Sequence, residues 1–159
     1  MLLRLAPTQP YPLLMPSVFT RVIEGELPGR FVWRDDRCVA FLTIAPTAVG
    51  HTLVVPIDEV DHWIDLPSDL AAHLWEVAGH IGRAQQAAFA PRRVGVLVVG
   101  DEVPHTHIHL IPFHNLSQLD LTTADSDPDP GGLDTAAERL RQALRAGGHE
   151  PPAASGQPS

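Results

Sequence analysis

The chain has 159 residues, 44% of them hydrophobic, with a formal charge of −8 and a single cysteine. That length and apolar content suit one globular domain, and lone Cys38 excludes both an internal disulfide framework and a cysteine-rich zinc module. All eleven basic residues are arginine, and no basic stripe exists to neutralise a nucleic-acid backbone, although backbone N–H groups and imidazoles can still hold a small anion.

Residues 1–16 read as a flexible leader: prolines at 7, 10, 12 and 16 interrupt any signal-peptide core. Apolar runs fall short of the ~18 residues that cross a bilayer, so the expected location is cytoplasmic. Residues 18–24 predict one or two helical turns, stopped by Gly25 and Leu27-Pro28-Gly29. β-rich segments follow at 31–33, 38–42 and 51–55, parted by Asp35-Asp36 and by residues 46–50, which gives two or three antiparallel strands.

Pro67, Ser68 and Asp69 open a long helix, with Leu70, Leu74, Val77, Ile81, Ala84 and Ala88 on one face and Trp75 and His80 beside it. Residues 94–99 and 106–111 predict two more strands, joined by residues 100–104. Residues 120–132 carry four aspartates and read as an exposed loop; a helix over 133–146 ends at Gly147-Gly148, and 147–159 reads as a disordered tail. The expected fold is α+β, with residues 17–146 as its domain.

Nine histidines are present, and three alternate: His105, His107 and His109. On a strand of period two they share one face, opposite Thr106, Ile108 and Leu110. Three groups of pKa near about 6.5 are costly to bury together, which leaves three readings. A bland core row is one. A metal site is the second, but the outer two residues lie about 13 Å apart on a straight strand, so convergence on one ion needs His51, His62 or His114 as well. Nucleophilic catalysis at phosphorus is the third: the middle imidazole attacks, its neighbours orient it, and Gly100 begins a turn whose N–H groups can approach an oxyanion.

His105-Thr106-His107-Ile108-His109-Leu110-Ile111 resembles the signature of the histidine triad (HIT) family, three alternating histidines followed by two apolar residues. The resemblance extends upstream through Phe19 to Ile23, Gly25-Glu26-Leu27-Pro28, Asp35-Asp36-Arg37-Cys38-Val39-Ala40-Phe41 and Ala48-Val49-Gly50-His51-Thr52-Leu53-Val54-Val55-Pro56, and so covers residues 17–116. It implies a five-stranded antiparallel sheet with one long and one or two short helices, a homodimer, and a nucleotide site at one end of the sheet. By the same resemblance His107 is the nucleophile that forms a covalent nucleotidyl-imidazole intermediate. His105 and His51 support it, and His109 contacts the phosphate and leaving group. The base pocket maps onto Phe19, Val22, Leu27, Phe41 and Ile44, and Gly100, Asp101, Glu102 and Val103 border the substrate.

Among branches of the family, His109 argues against the nucleotidyltransferases, which resemble His-x-His-x-Gln. The short single domain is most similar to the Hint-like phosphoramidases, with dinucleoside polyphosphate hydrolysis or non-catalytic nucleotide binding as alternatives. Thr43 stands where the family pattern has a ribose-binding aspartate, and a hydroxyl cannot grip a cis-diol bidentately. Asp101 and Glu102 bring carboxylates close to an anionic substrate, and Glu102 is a candidate proton donor to an amine leaving group. Ser17 and Thr20 occupy the two positions of a zinc-binding Cys-x-x-Cys found in some bacterial relatives, with Glu59 near the usual third ligand, so no metal and no cofactor are expected.

Overall fold

The computed structural model describes residues 15–154; residues 1–14 of the leader expected over 1–16, and residues 155–159 of the expected tail, lie outside them. Short β-rich segments closed by polar turns form a five-stranded antiparallel sheet in the order β1-β2-β3-β5-β4. These strands are β1 Arg30–Arg34, β2 Cys38–Leu42, β3 Thr52–Pro56, β4 Arg93–Leu97 and β5 Ile108–Phe113. Helix α1 is Val18–Ile23, α2 is Ser68–Phe89 and α3 is Pro130–Ala146.

The period-two pattern of the strands sorts their side chains onto two faces. Ala40, Leu42, Val54, Ile108 and Leu110 meet Leu70, Leu74, Val77 and Ile81 of α2 and Leu140 and Leu144 of α3 in the main core. On the other face Phe31, Val39, Phe41, Leu53 and Val55 are covered by Val22 and Ile23 of α1, with Phe19 and Leu27 packed against them. Helix α2 stops where the sequence places Pro91: Ala90 turns left-handed at φ 45° and its N–H bonds back to the Gln86 carbonyl. None of the described helices is long and apolar enough to cross a membrane.

Three expectations change. Helix α3 begins at Pro130 rather than 133, because the Asp129 carboxylate accepts the Gly132 N–H at 2.8 Å and proline suits a first helical position. The 120–132 segment is partly ordered by a 3-10 turn at Leu121–Thr123, where Asp120 accepts from the Thr122 N–H. Past α3, His149 is not loose: its ring lies 4.3 Å from that of His80 and 5.2 Å from Trp33, centroid to centroid.

The β1–β2 turn is fixed by one carboxylate. Asp35 accepts from the Trp33 indole N–H, from the Arg37 and Cys38 N–H groups and from His73 Nε2, each at 2.8 Å, which ties the hairpin to α2. Burial alone raises this carboxyl, but the four donors outweigh it and hold Asp35 at about 2. Asp35→Ala strands four donors at once, so a loss of about 2–4 kcal/mol in urea unfolding is expected; a change under about 0.5 kcal/mol contradicts this role.

Candidate functional site

The triad departs from a straight strand. Only His109 lies within β5, which begins at Ile108. β3 ends at Pro56, which has no N–H to extend the ladder, and its carbonyl instead accepts Nε2–H of His105 at 2.8 Å. Upstream, the Thr106 N–H bonds to the Val60 carbonyl at 2.7 Å, and the His105 N–H to Val103 at 2.8 Å. The rings remain neighbours: His107 and His109 are 4.8 Å apart between centroids, and Phe19 packs edge-on at 4.8 Å from His107 and 6.0 Å from His105.

The hydrogen-bond partners assign a tautomer to each of four buried or part-buried imidazoles. His105 donates from Nε2 to Pro56, so its Nδ1 accepts from the Ser17 hydroxyl at 2.7 Å. His107 donates from Nδ1 to the His105 carbonyl at 2.8 Å, which leaves the Nε2 lone pair without a partner among the described residues. His51 accepts the Thr47 N–H on Nδ1 at 3.2 Å and donates from Nε2 to Nδ1 of His109 at 2.9 Å. The His109 proton therefore sits on Nε2. One free lone pair and one free N–H stand side by side.

Burial, first, and neighbouring imidazoles, second, hold His51 at about 3 and His109 at about 4. Burial also lowers His105 and His107, against the opposing pull of the Pro56 and His105 carbonyls respectively. All four rings are thus neutral near pH 7. His51 is delivered by Gly50, whose φ of 85° and contact with the Phe89 ring leave no place for a side chain.

Phe19, Val22, Leu27 and Phe41 come together on the face below α1. Ile44 does not join them; it lies in the loop after β2, 73% exposed. Thr43 stands beside it with its hydroxyl accepting the Ala45 N–H. Gly100 takes the left-handed conformation expected of a turn, at φ 72°. Asp101 lines a cavity of about 310 Å³ that reaches His107, whereas Glu102 is exposed and absent from its wall, and Val103 serves through its carbonyl.

The sequence reading missed Pro56 and Thr47, which act through backbone groups that residue identity does not advertise. It also missed Asp61 and Trp63 in the cavity wall; an indole amid the acids of residues 58–65 was the available signal.

Ser17, Thr20 and Glu59 gather on His105. Ser17 caps α1 by accepting the Thr20 N–H, and Glu59 accepts the Ser17 N–H and the Thr20 hydroxyl. Two hydroxyls, one carboxylate and an imidazole engaged at both nitrogens do not fit zinc, which takes thiolate, free imidazole or several carboxylate donors. Asp35, Cys38 and His73 also lie within ligating reach of one another. There burial drives the Cys38 thiol far up, and the carboxylate is occupied by donors, as suits a structural clasp.

An α+β protein with an imidazole lone pair and an imidazole N–H on neighbouring rings of an antiparallel sheet fits the nucleotide-binding, hydrolase-type proteins. The chain is a member of the HIT domain family, which matches residues 24–116. It is 31% identical over 105 residues to an uncharacterized HIT-like protein of Methanocaldococcus jannaschii, covering 60% of this chain and 77% of that protein. Its fold is similar to a crystal structure of a Hit-like protein from Bartonella henselae, at TM-score 0.72 and 26% identity over 80% of this chain and 95% of the other. It is also similar to a Zn-bound histidine triad family protein from Mycobacterium smegmatis, at TM-score 0.69 and 25% identity over 81% and 93%.

The lowered imidazoles set the acid stability. Between pH 6.5 and 4 the unfolded chain binds protons on these rings that the folded protein refuses, so stability falls as pH falls, by about 1.4 kcal/mol per unit for each ring concerned. Urea midpoints at pH 7, 6, 5 and 4 are expected to drop steadily; a flat profile contradicts the neutral network.

Proposed function

We propose that this protein hydrolyses nucleoside phosphoramidates of the AMP-amine type, by way of a covalent nucleotidyl intermediate on His107 Nε2. The observation that carries this reading is the bond from His107 Nδ1–H to the His105 carbonyl, which fixes the ring and points its unshared pair away from the protein's own donors. As the phosphate anion binds and opposes the burial that otherwise keeps the ring neutral, His109 takes up a proton on Nδ1, and His51 moves its own proton from Nε2 to Nδ1, where the Thr47 hydroxyl lies at 3.4 Å to accept it, so that Nε2 of His51 now accepts from His109. The Nε2 pair of His107 then attacks phosphorus and forms the P–N bond to imidazole. As the bond to the amine breaks, the departing nitrogen takes the His109 proton. Water next attacks phosphorus, gives a proton to His109 and releases the nucleoside monophosphate, and the pair returns to His107.

Phe19, Val22, Leu27 and Phe41 offer the apolar face for the base in this reading, and Gly100 the N–H groups for the phosphate. Binding without turnover is favoured by one feature, the Thr43 hydroxyl in place of a carboxylate, already engaged by the Ala45 N–H. A homodimer is proposed as well: β4 is an edge strand, and Val96 at 42% and Trp75 at 53% are exposed. A dimer mass in solution scattering supports it and a monomer mass refutes it.

Purified protein incubated with adenosine 5′-phosphoramidate, with and without chelator, tests the activity. Turnover is expected in both, and His107→Ala is expected to lose about a thousandfold or more. Nucleotide binding by calorimetry with no turnover selects the binding module, and loss of turnover with chelator selects a metal enzyme. Because His107 titrates below its ordinary range, kcat/KM for an arylamine leaving group, which needs no acid, is expected to fall between pH 8 and pH 6 by less than the about fourfold that an unperturbed imidazole gives. A fall of fourfold or more refutes a nucleophile held neutral by burial.

A further inference from the structure

Every buried residue of α2 is apolar except Gln85, which is 0% exposed. Its Nε2 donates to the Gly50 carbonyl at 2.9 Å and to the Leu110 carbonyl at 3.0 Å. Its Oε1 is buried and has no partner among the described residues. With a carbonyl facing each N–H the amide is held one way round, because turned over it would set oxygen against two oxygens. An unpaired buried acceptor is costly, so packing alone favours leucine or methionine at this position, and the amide is accounted for by the two bonds it makes.

Those two carbonyls bracket a pair of histidines. Gly50 directly precedes His51, Leu110 directly follows His109, and the two rings are joined from Nε2 of His51 to Nδ1 of His109 at 2.9 Å. The β3–β5 register reaches its end at Thr52 and Leu110; continued by two residues it would set Gly50 against Pro112, which has no N–H to give. Side chains supply donors instead, the Thr52 hydroxyl at 2.8 Å and the Gln85 amide. Thr52 ties Gly50 only to its own strand, whereas Gln85 spans the gap to β5. Phe89, one turn beyond Gln85 on α2, lies where a Cβ of Gly50 would stand, so the helix holds this glycine at two points.

We propose that Gln85 is a positioning residue, which by gripping the Gly50 and Leu110 carbonyls together sets the spacing of the His51 and His109 rings. It touches no reacting atom. A bond from one ring to another weakens steeply with distance and angle, and this bond decides which nitrogen of His109 holds the proton. The kinetic consequence rests on the hydrolase reading above, in which His109 gives a proton to the amine; the consequence for the tautomer does not.

The test uses the full chain with Gln85→Met, which keeps the length of the side chain and removes both donors, and Gln85→Leu as a second variant. In ¹⁵N-labelled protein at pH 7 the unaltered chain is expected to show Nδ1 of His109 as an acceptor, coupled through the hydrogen bond to Nε2 of His51. In the variants that coupling is expected to be lost and the His109 nitrogens to move toward the average of two tautomers. His107, whose proton is held by the His105 carbonyl, is expected to keep its shifts, which a general loosening would move as well. kcat/KM for an alkylamine adenosine 5′-phosphoramidate is expected to fall about tenfold and for an arylamine one to stay within about threefold, since only the first needs the acid. The urea midpoint is expected to hold or rise, because the unpaired acceptor goes with the amide. Unchanged His109 shifts, His107 shifts that move as far as those of His109, or equal slowing of both substrates overturns the assignment. Failure of both variants to fold makes Gln85 a structural residue and overturns it too. If the unaltered chain turns over neither substrate, the hydrolase reading fails, and the ring shifts still decide the role of Gln85.

Discussion

Four imidazoles can be packed together only if nearly every ring nitrogen is given a hydrogen-bond partner and no ring carries a charge. That constraint organises this protein. His51 and His105 are almost wholly buried, at 2% and 0% exposure, and each has both nitrogens bonded. The partners they require explain features that otherwise look unrelated: the Pro56 carbonyl at the end of β3, the Thr47 N–H in the loop before His51, and Ser17 at the start of α1. Once those bonds are made, the tautomers of His107 and His109 follow, and the unsatisfied remainder is one lone pair and one N–H at the surface of the site.

The same economy accounts for how a protein of charge −8 can face an anion. Near the triad it presents a neutral imidazole N–H rather than a fixed cation, a dipole whose orientation is already set and which suits the phosphate of the proposed reaction. Asp61 and Asp101 stand, with His62, in the wall of the cavity that reaches His107.

The attachment of α1 shows what a hydrogen-bonded cluster contributes. Six residues are too few to form a stable helix alone. Its N-cap serine bonds at once to the helix, to Glu59 and to His105, while Val22 and Ile23 seat it on the sheet. Phe19 is thereby held against His107, and the position of the proposed base face is tied to the orientation of that ring.

Much of this was legible in the residues. Alternation at 105, 107 and 109, the apolar spacing from Leu70 to Ala84, and the turn signals at Leu27-Pro28-Gly29 and Gly100 follow from periods and torsions that are local, and so four or five strands, the long helix and the cluster of histidines were legible, with the count of five resting on the family resemblance. The start of α3 at Pro130 was missed because Asp129 counted as one more loop acid until its carboxylate was seen capping Gly132. Other features depended on tertiary structure for a plain reason: they use backbone carbonyls and N–H groups, or residues far apart in the chain. That His105 leaves the strand to bond Pro56, that Thr47 sets the tautomer of His51, that Ile44 stands apart from the apolar face, and that Asp61 and Trp63 meet Asp101 beside His107 are outcomes of chain crossings. Sequence determined which side chains were present and their local shape; the fold decided which nitrogen holds the proton and which distant residues meet beside His107.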